Sequence, residues 1–290
     1  MLEKDWDALI AIKEEGSISR AAARLFISQP ALTYRIQNLE EQFNTKIIYK
    51  IKGGVDFTVE GQFLVQYAKK MLKELQETKD QLANLSEEVR GLLRIGSSDN
   101  FAQYILPELL NEFSTVYPNV MFNVNTGWST YVMELLNTSK VHVGILRGNN
   151  DWHGHKILMN IEKLYVISKK PIELSELPNL PFISYKTDTS LRSLIEKWWY
   201  DRFSTPPNVI METTRQETCK EMVKHGLGIS ILPKISLLNV DDLFMYELNL
   251  KNGTPVERET WLLYSEQSQE LEIVKKFIEF IQENRALIRL

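Results

Sequence analysis

Residues 17–44, SISRAAARLFISQPALTYRIQNLEEQFN, hold two apolar helical periods separated by a break only long enough for a tight turn. Ile18, Ala21, Ala22 and Leu25 share one face of the first period, and Leu32, Ile36, Leu39 and Phe43 share one face of the second. The second helix has a strong start signal. Ser28 can accept from orphan backbone N–H groups as N-cap, and Pro30 sits in the first turn, where a missing N–H costs nothing. In a helix-turn-helix, that end of the second helix enters the major groove of duplex DNA. Ser28, Gln29, Pro30, Thr33, Tyr34 and Arg35 are therefore expected at bases or phosphates. Gln suits adenine, Arg suits guanine, and the Thr methyl suits the methyl of thymine.

Local charge agrees. Between Ser17 and Gly54 stand Arg20, Arg24, Arg35, Lys46, Lys50 and Lys52 against only Glu40 and Glu41, in a chain whose net charge is -4. A basic island on an acidic chain is expected to make localised phosphate contacts. A solvated surface hairpin carries the same pattern, so pattern alone leaves both readings open.

The wording of the stretch separates them. SISRAAARLFISQPALTYRIQNLEEQFNTKII resembles the N-terminal winged helix-turn-helix of LysR-type transcriptional regulators, whose shared pattern is AA-x-x-L-x-(I/V)-(S/T)-Q-(P/S)-A-(L/V)-(S/T)-x-x-(I/L)-x-x-LE. Every element of it is present. The resemblance implies a mixed fold: an all-α winged helix-turn-helix domain (1–58), a linker and dimerisation helix (59–90), and a bilobal α/β periplasmic-binding-protein-like effector domain (91–290). It further implies a first lobe of 91–163 and 265–290 and a second lobe of 164–264.

The flanking sequence fits this plan. Residues 3–15 give a supporting helix with Trp6, Leu9 and Ile10 towards the hairpin. Lys46 to Val59 reads as a wing of two short strands around Gly53 and Gly54, with Lys50 and Lys52 on one face over phosphates or a minor groove. LysR-type proteins usually carry arginine near Lys50, so the charge is kept and the bidentate fork is lost. Thr58 can cap the next helix, where Leu64, Ala68, Met71, Leu75, Thr78, Leu82, Leu85 and Val89 form a heptad seam. Pairing with a second copy would present two recognition helices to a dyad-symmetric operator, as a homodimer or dimer of dimers. Packing on the chain's own C-terminal domain is the alternative.

From Gly91 strands and helices alternate, as in a parallel sheet with crossovers. FAQYILPELLNEFSTVYP reads as one helix, and LYVIS opens a second α/β set. The strand ETWLLY and the helix LEIVKKFIEFIQ are expected to return to the first set, which otherwise lacks a closing helix. Ligands of such sheets collect at strand carboxyl ends beside helix starts. Those positions hold Ser97, Ser98 and Asn100, then Trp128, Ser129 and Thr130, then Arg147, with Arg258 near the lobe crossing. Hydroxyls and guanidinium groups around a cleft indicate a carboxylate effector. Helix capping for the serines, and structural ion pairs for the arginines, are the competing readings. TGWST, LRGNNDW and ETCKEMVKHGLGISILP look most like LysR regulators of the catabolite-control type, which repress citrate-cycle genes; that resemblance implies citrate as the effector.

Other features carry no chemistry. The 290 residues are 43% hydrophobic and 25% charged, ordinary for a globular chain of two or three units. No signal-peptide pattern or long apolar run is present, so a cytoplasmic location without membrane contact is expected. The single cysteine, Cys219, offers no disulfide or thiolate cluster, and His153 with His155 lacks a third ligand, so no metal or cofactor is expected. Trp198 and Trp199, adjacent on a helix, would place one ring in the core and leave the other for a partner. No catalytic constellation stands at a strand end, which speaks against an enzyme. The rival class is a cytoplasmic solute-binding or enzymatic α/β protein whose N-terminal hairpin only dimerises.

Overall fold

The computed structural model describes residues 3–85, 88–148 and 150–288. The chain divides into two compact units, Met1–Leu82 and Ala83–Leu290.

In the first unit, α1 (Glu3–Glu15), α2 (Ile18–Arg24) and α3 (Gln29–Phe43) bury Leu9, Ile12, Ala21, Leu32, Ile36 and Leu39 against one another. Ser17 caps α2, and Ser28 caps α3 by accepting from Ala31 N–H. The wing pairs β1 (Ile48–Ile51) antiparallel with β2 (Gly54–Phe57). Gly53 takes φ +93 at its turn, and Gly54 sits so close to Gly16 O that a Cβ would collide with it. Val55 N–H donates to that same carbonyl, which fastens the wing to the end of α1. Glu40, from the LE pair of the motif, accepts from Ile47 N–H at 2.9 Å and from Lys46 Nζ at 2.6 Å, tying α3 to the wing's first strand. Burial raises its carboxyl, but Lys46 and the Ile47 N–H outweigh burial and hold it below its ordinary value.

Thr58 Oγ1 accepts from Gly61 N–H at 2.9 Å and starts α4 (Val59–Asn84). The heptad reading needs correction at both ends. Leu64 and Ala68 are buried in the first unit's own core, because α4 closes that core as well as leaving it. Leu85 lies past the helix end, Val89 packs into the core of the second unit, and Ser86 and Glu87 lie outside the described residues. At its start α4 exposes Val59, Phe63 and Tyr67, one position off the expected seam, and farther along it exposes Leu75 and Leu82, which belong to that seam.

In the second unit, β3 (Gly91–Ser98) pairs in parallel with β4 (Val120–Gly127) on one side and β5 (Val143–Arg147) on the other. The single helix expected after β3 is two, α5 (Asp99–Tyr104) and α6 (Leu106–Val116), because Pro107 supplies no N–H to continue the ladder and Ile105 leaves helical φ. α7 (Ser129–Asn137) joins β4 to β5.

The strand β6 (His155–Ser168) is much longer than LYVIS. Its residues His155–Lys163 pair with β11 (Glu257–Tyr264), and Leu164–Ser168 pair with β9 (Ser230–Pro233) and β10 (Phe244–Glu247). The chain thus crosses from first to second lobe at Lys163–Leu164. It returns before Glu257, since β11 also pairs along β5, so residues 257–264 belong to the first lobe rather than the second. After β11, α10 (Glu266–Gln269) leads into α11 (Glu272–Glu283), whose Phe277 and Ile281 complete the first lobe's core.

The second lobe adds β7 (Pro181–Tyr185), parallel to β8 (Asn208–Thr213), with α8 (Thr189–Arg202) and α9 (Gln216–Lys224) on its faces. Both Trp198 and Trp199 are fully buried, which corrects the expectation for the pair. Trp198 Nε1 donates to Asn249 O at 3.0 Å and Trp199 Nε1 to Thr205 O at 2.8 Å, so chain segments cover both helix faces. Cys219 is buried on α9, and burial pushes its thiol up to about 11.

Candidate functional site

In the first unit, the start of α3 stands exposed with Gln29, Pro30 and Tyr34 on its outer face and Thr33 half-buried. Arg35 behaves differently from expectation. Its guanidinium is drawn back to Asp5 on α1, Nη1 to Oδ1 2.9 Å, in a half-buried pair. The basic island is likewise largely answered. Arg20 pairs with Glu15, Arg24 with Glu14 and Glu15, and Lys46 with Glu40. Glu14 and Glu15 lie just outside the 17–54 window, which is why a local count overstates its charge. Lys50 and Lys52 are exposed and form no ion pair among the described residues, so the wing carries the uncommitted cations. Lys52 lies in the turn rather than on β1, and the alternation argument does not reach it.

In the second unit a cleft of about 400 Å³ opens between the lobes. Of the expected residues, Ser98, Asn100, Trp128, Ser129, Arg147 and Arg258 line it. Ser97 and Thr130 do not. Ser97 faces the opposite side of β3 and donates to Ser98 O at 3.2 Å, while Thr130 is exposed one residue along α7. The second lobe supplies a wall that the strand-end rule, applied only to the first lobe, did not reach: Lys186, Thr187, Asp188, Thr214, Arg215 and Gln216. Each follows β7 or β8, so the same rule applied to those strands would have found them. Asn149 of LRGNNDW lies outside the described residues.

Both arginines are buried, and both are ion-paired. Arg147 of β5 contacts Glu162 of β6 across the intervening β11, and Arg258 Nη2 meets Asp188 Oδ2 at 2.5 Å. Burial, then the nearby Arg258, pushes Arg147 below its ordinary value. Burial raises the Asp188 carboxyl, but Arg258, the Leu191 N–H and Arg147 outweigh it and hold it below the usual carboxylate range. Two further features favour an anion. The starts of α7 and α9 face the cleft with no side-chain cap, leaving their first N–H groups and positive dipole ends available. Ser98 Oγ is buried at the cleft wall with no hydrogen-bond partner among the described residues.

Residues 4–62 match the family described as bacterial regulatory helix-turn-helix protein, lysR family, and residues 86–286 match the LysR substrate binding domain. The chain belongs to the LysR family of transcriptional regulators. It is similar to the HTH-type transcriptional regulators YraN and YkuM of Bacillus subtilis (strain 168). YraN is 53% identical over 97% of this chain and 98% of its own, and YkuM is 33% identical over 95% and 94%. Among solved structures, the LysR family regulator CbnR shares the fold at a TM-score of 0.70 and 19% identity, covering 98% of this chain and 99% of that one. The matched families and relatives are regulators rather than enzymes. For this LysR-type regulator, residues 4–62 are thus the DNA-binding helix-turn-helix part and residues 86–286 the substrate-binding part. No helix among the described residues is long and apolar enough to cross a membrane.

Proposed function

We propose that this regulator binds dyad-symmetric DNA as a dimer or dimer of dimers, and that a small carboxylate in the interlobe cleft alters that binding. The crystal structure of CbnR with its target DNA, 20% identical to this chain, supports the DNA part by analogy. The observation that carries the effector part is the charge of the cleft. Arg147 with Glu162, Arg258 with Asp188 and Lys220 with Glu217 are three closed pairs. Setting them aside leaves Lys186 and Arg215 against Asp99 on the lining, a surplus of one positive charge. A monocarboxylate matches that surplus, whereas citrate, the effector implied by the sequence resemblance, brings three charges to it. The carboxylate is expected near the starts of α7 and α9, accepting from Ser98 Oγ, with Trp128 covering its body. Ligand acts only through its different affinity for the two arrangements of the protein.

Thermal unfolding with citrate and with a panel of monocarboxylates, at fixed ionic strength, tests the reading. A ligand at about 100 times its Kd adds about 2.7 kcal/mol and raises the midpoint visibly. A monocarboxylate should do so and also change retardation of genomic DNA fragments; Ser98→Ala should abolish the shift while leaving the ligand-free midpoint in place. A shift with citrate alone refutes the charge argument, and no shift with any carboxylate refutes the cleft as an anion site.

A further inference from the structure

Gln29 opens α3 on the exposed face of the first unit, yet its side chain is tethered. The Ser19 hydroxyl on α2 donates to Gln29 Oε1 at 2.8 Å, joining the starts of the two helices. Ser19 is not spent on capping, since Ser17 accepts from Arg20 N–H in that role. An untethered glutamine amide can meet a base pair with oxygen and nitrogen in either order, because the two ends differ little in shape and only their donor and acceptor roles distinguish them. Ser19 does not choose between those orders, since its hydroxyl can donate to Oε1 or accept from Nε2; what it fixes is where the amide stands. The tether also spends rotamer entropy before DNA arrives rather than on binding.

We propose that Ser19 is a positioning residue for sequence readout: it holds the Gln29 amide against the start of α2 and so fixes where that amide stands when a base pair meets it. The inference rests on DNA binding by α3. Arg35 adds weight to it, because Asp5 holds that guanidinium at 2.9 Å and readout falls more heavily on Gln29. A bare phosphate contact is the competing role for an exposed hydroxyl at a helix start, and its signature differs. Phosphate contacts weaken all sequences alike, whereas a lost tether relaxes selection at one base pair.

Selection of binding sites from randomised duplexes, using the full-length chain, distinguishes the two. Gln29→Ala locates the base pair that Gln29 reads by flattening it. Ser19→Ala is expected to weaken preference at that pair by about threefold to tenfold, the worth of one hydrogen bond, with little change elsewhere. Ser19→Thr keeps the hydroxyl and should restore the preference. Uniform weakening over all sequences, or an unchanged preference in Ser19→Ala, overturns the role of Ser19 while DNA binding stands. A wild-type chain that selects no sequence overturns DNA readout and this inference together.

Discussion

Phe26 shows how local conformation and sequence can disagree at a single residue. It takes φ 55 between α2 and α3, with its side chain 95% exposed. Glycine or asparagine is the usual choice at this left-handed position after a helix, and a residue with a Cβ there costs roughly 1–2 kcal/mol. The ring gains nothing from burial. Phe26→Gly is therefore expected to stabilise the first unit by about 1 kcal/mol, after part of the relief is offset by a more flexible unfolded chain. The measurement is the unfolding midpoint of that unit within the full chain, and a fall would show that the ring makes a contact worth more than the strain. At this scale much of the site was legible. Ser28 as a cap and Ser98, Asn100, Trp128 and Ser129 as cleft residues follow from their places at helix starts and strand ends. The withdrawal of Arg35 to Asp5 was not, because an ion pair spanning thirty residues leaves no local mark.

Between elements, the same carboxylate can serve two structures. Asp188 caps α8 by accepting from Leu191 N–H at 2.9 Å and pairs with Arg258 of β11 at 2.5 Å, so it joins a second-lobe helix to a first-lobe strand. Asp188→Asn keeps an acceptor for the cap but leaves a buried guanidinium without its counter-charge. A loss of about 3 kcal/mol is expected. Since the Asp188 carboxyl is held below its unfolded value, its contribution is present above about pH 4, the unfolded value, and is lost as pH falls through the lower folded value. Chemical unfolding from pH 7 down to pH 3 should show the gap between wild type and variant narrowing below about pH 4. A constant gap would mean that the charge is not what stabilises. Periodicity gave α1 and α7, each with one buried face, and the turn glycines Gly53 and Gly54 gave the wing. Periodicity failed for β6, where half-buried Asn160 and buried Glu162 sit in mid-strand and break the apolar run. It failed again for α5 and α6, whose apolar positions continue across a break set by Pro107.

For the whole molecule, the question is what covers α4. The first positions of the heptad seam, Leu64 and Ala68, are consumed by the first unit's own core, while its later members Leu75 and Leu82 stay exposed. Exposed at the start of α4 are Val59, Phe63 and Tyr67 at successive turns, beside Phe43, around a groove of about 520 Å³. Such a stripe on a folded surface marks a contact, and the proposed dimer supplies one by pairing two copies. Phe63→Glu places a charge in the middle of it. Because Phe63 is already exposed, the variant should fold normally by circular dichroism. It should sediment as a smaller species than wild type at the same concentration. Losing the second half-site should then cost operator affinity about 10²-fold or more, since linked binding multiplies rather than adds. Effector-induced thermal stabilisation should persist, as the cleft lies wholly within residues 83–290. If Phe63→Glu sediments like wild type, the stripe is not the contact, and the exposed Leu75 and Leu82 farther along α4 become the place where two copies meet.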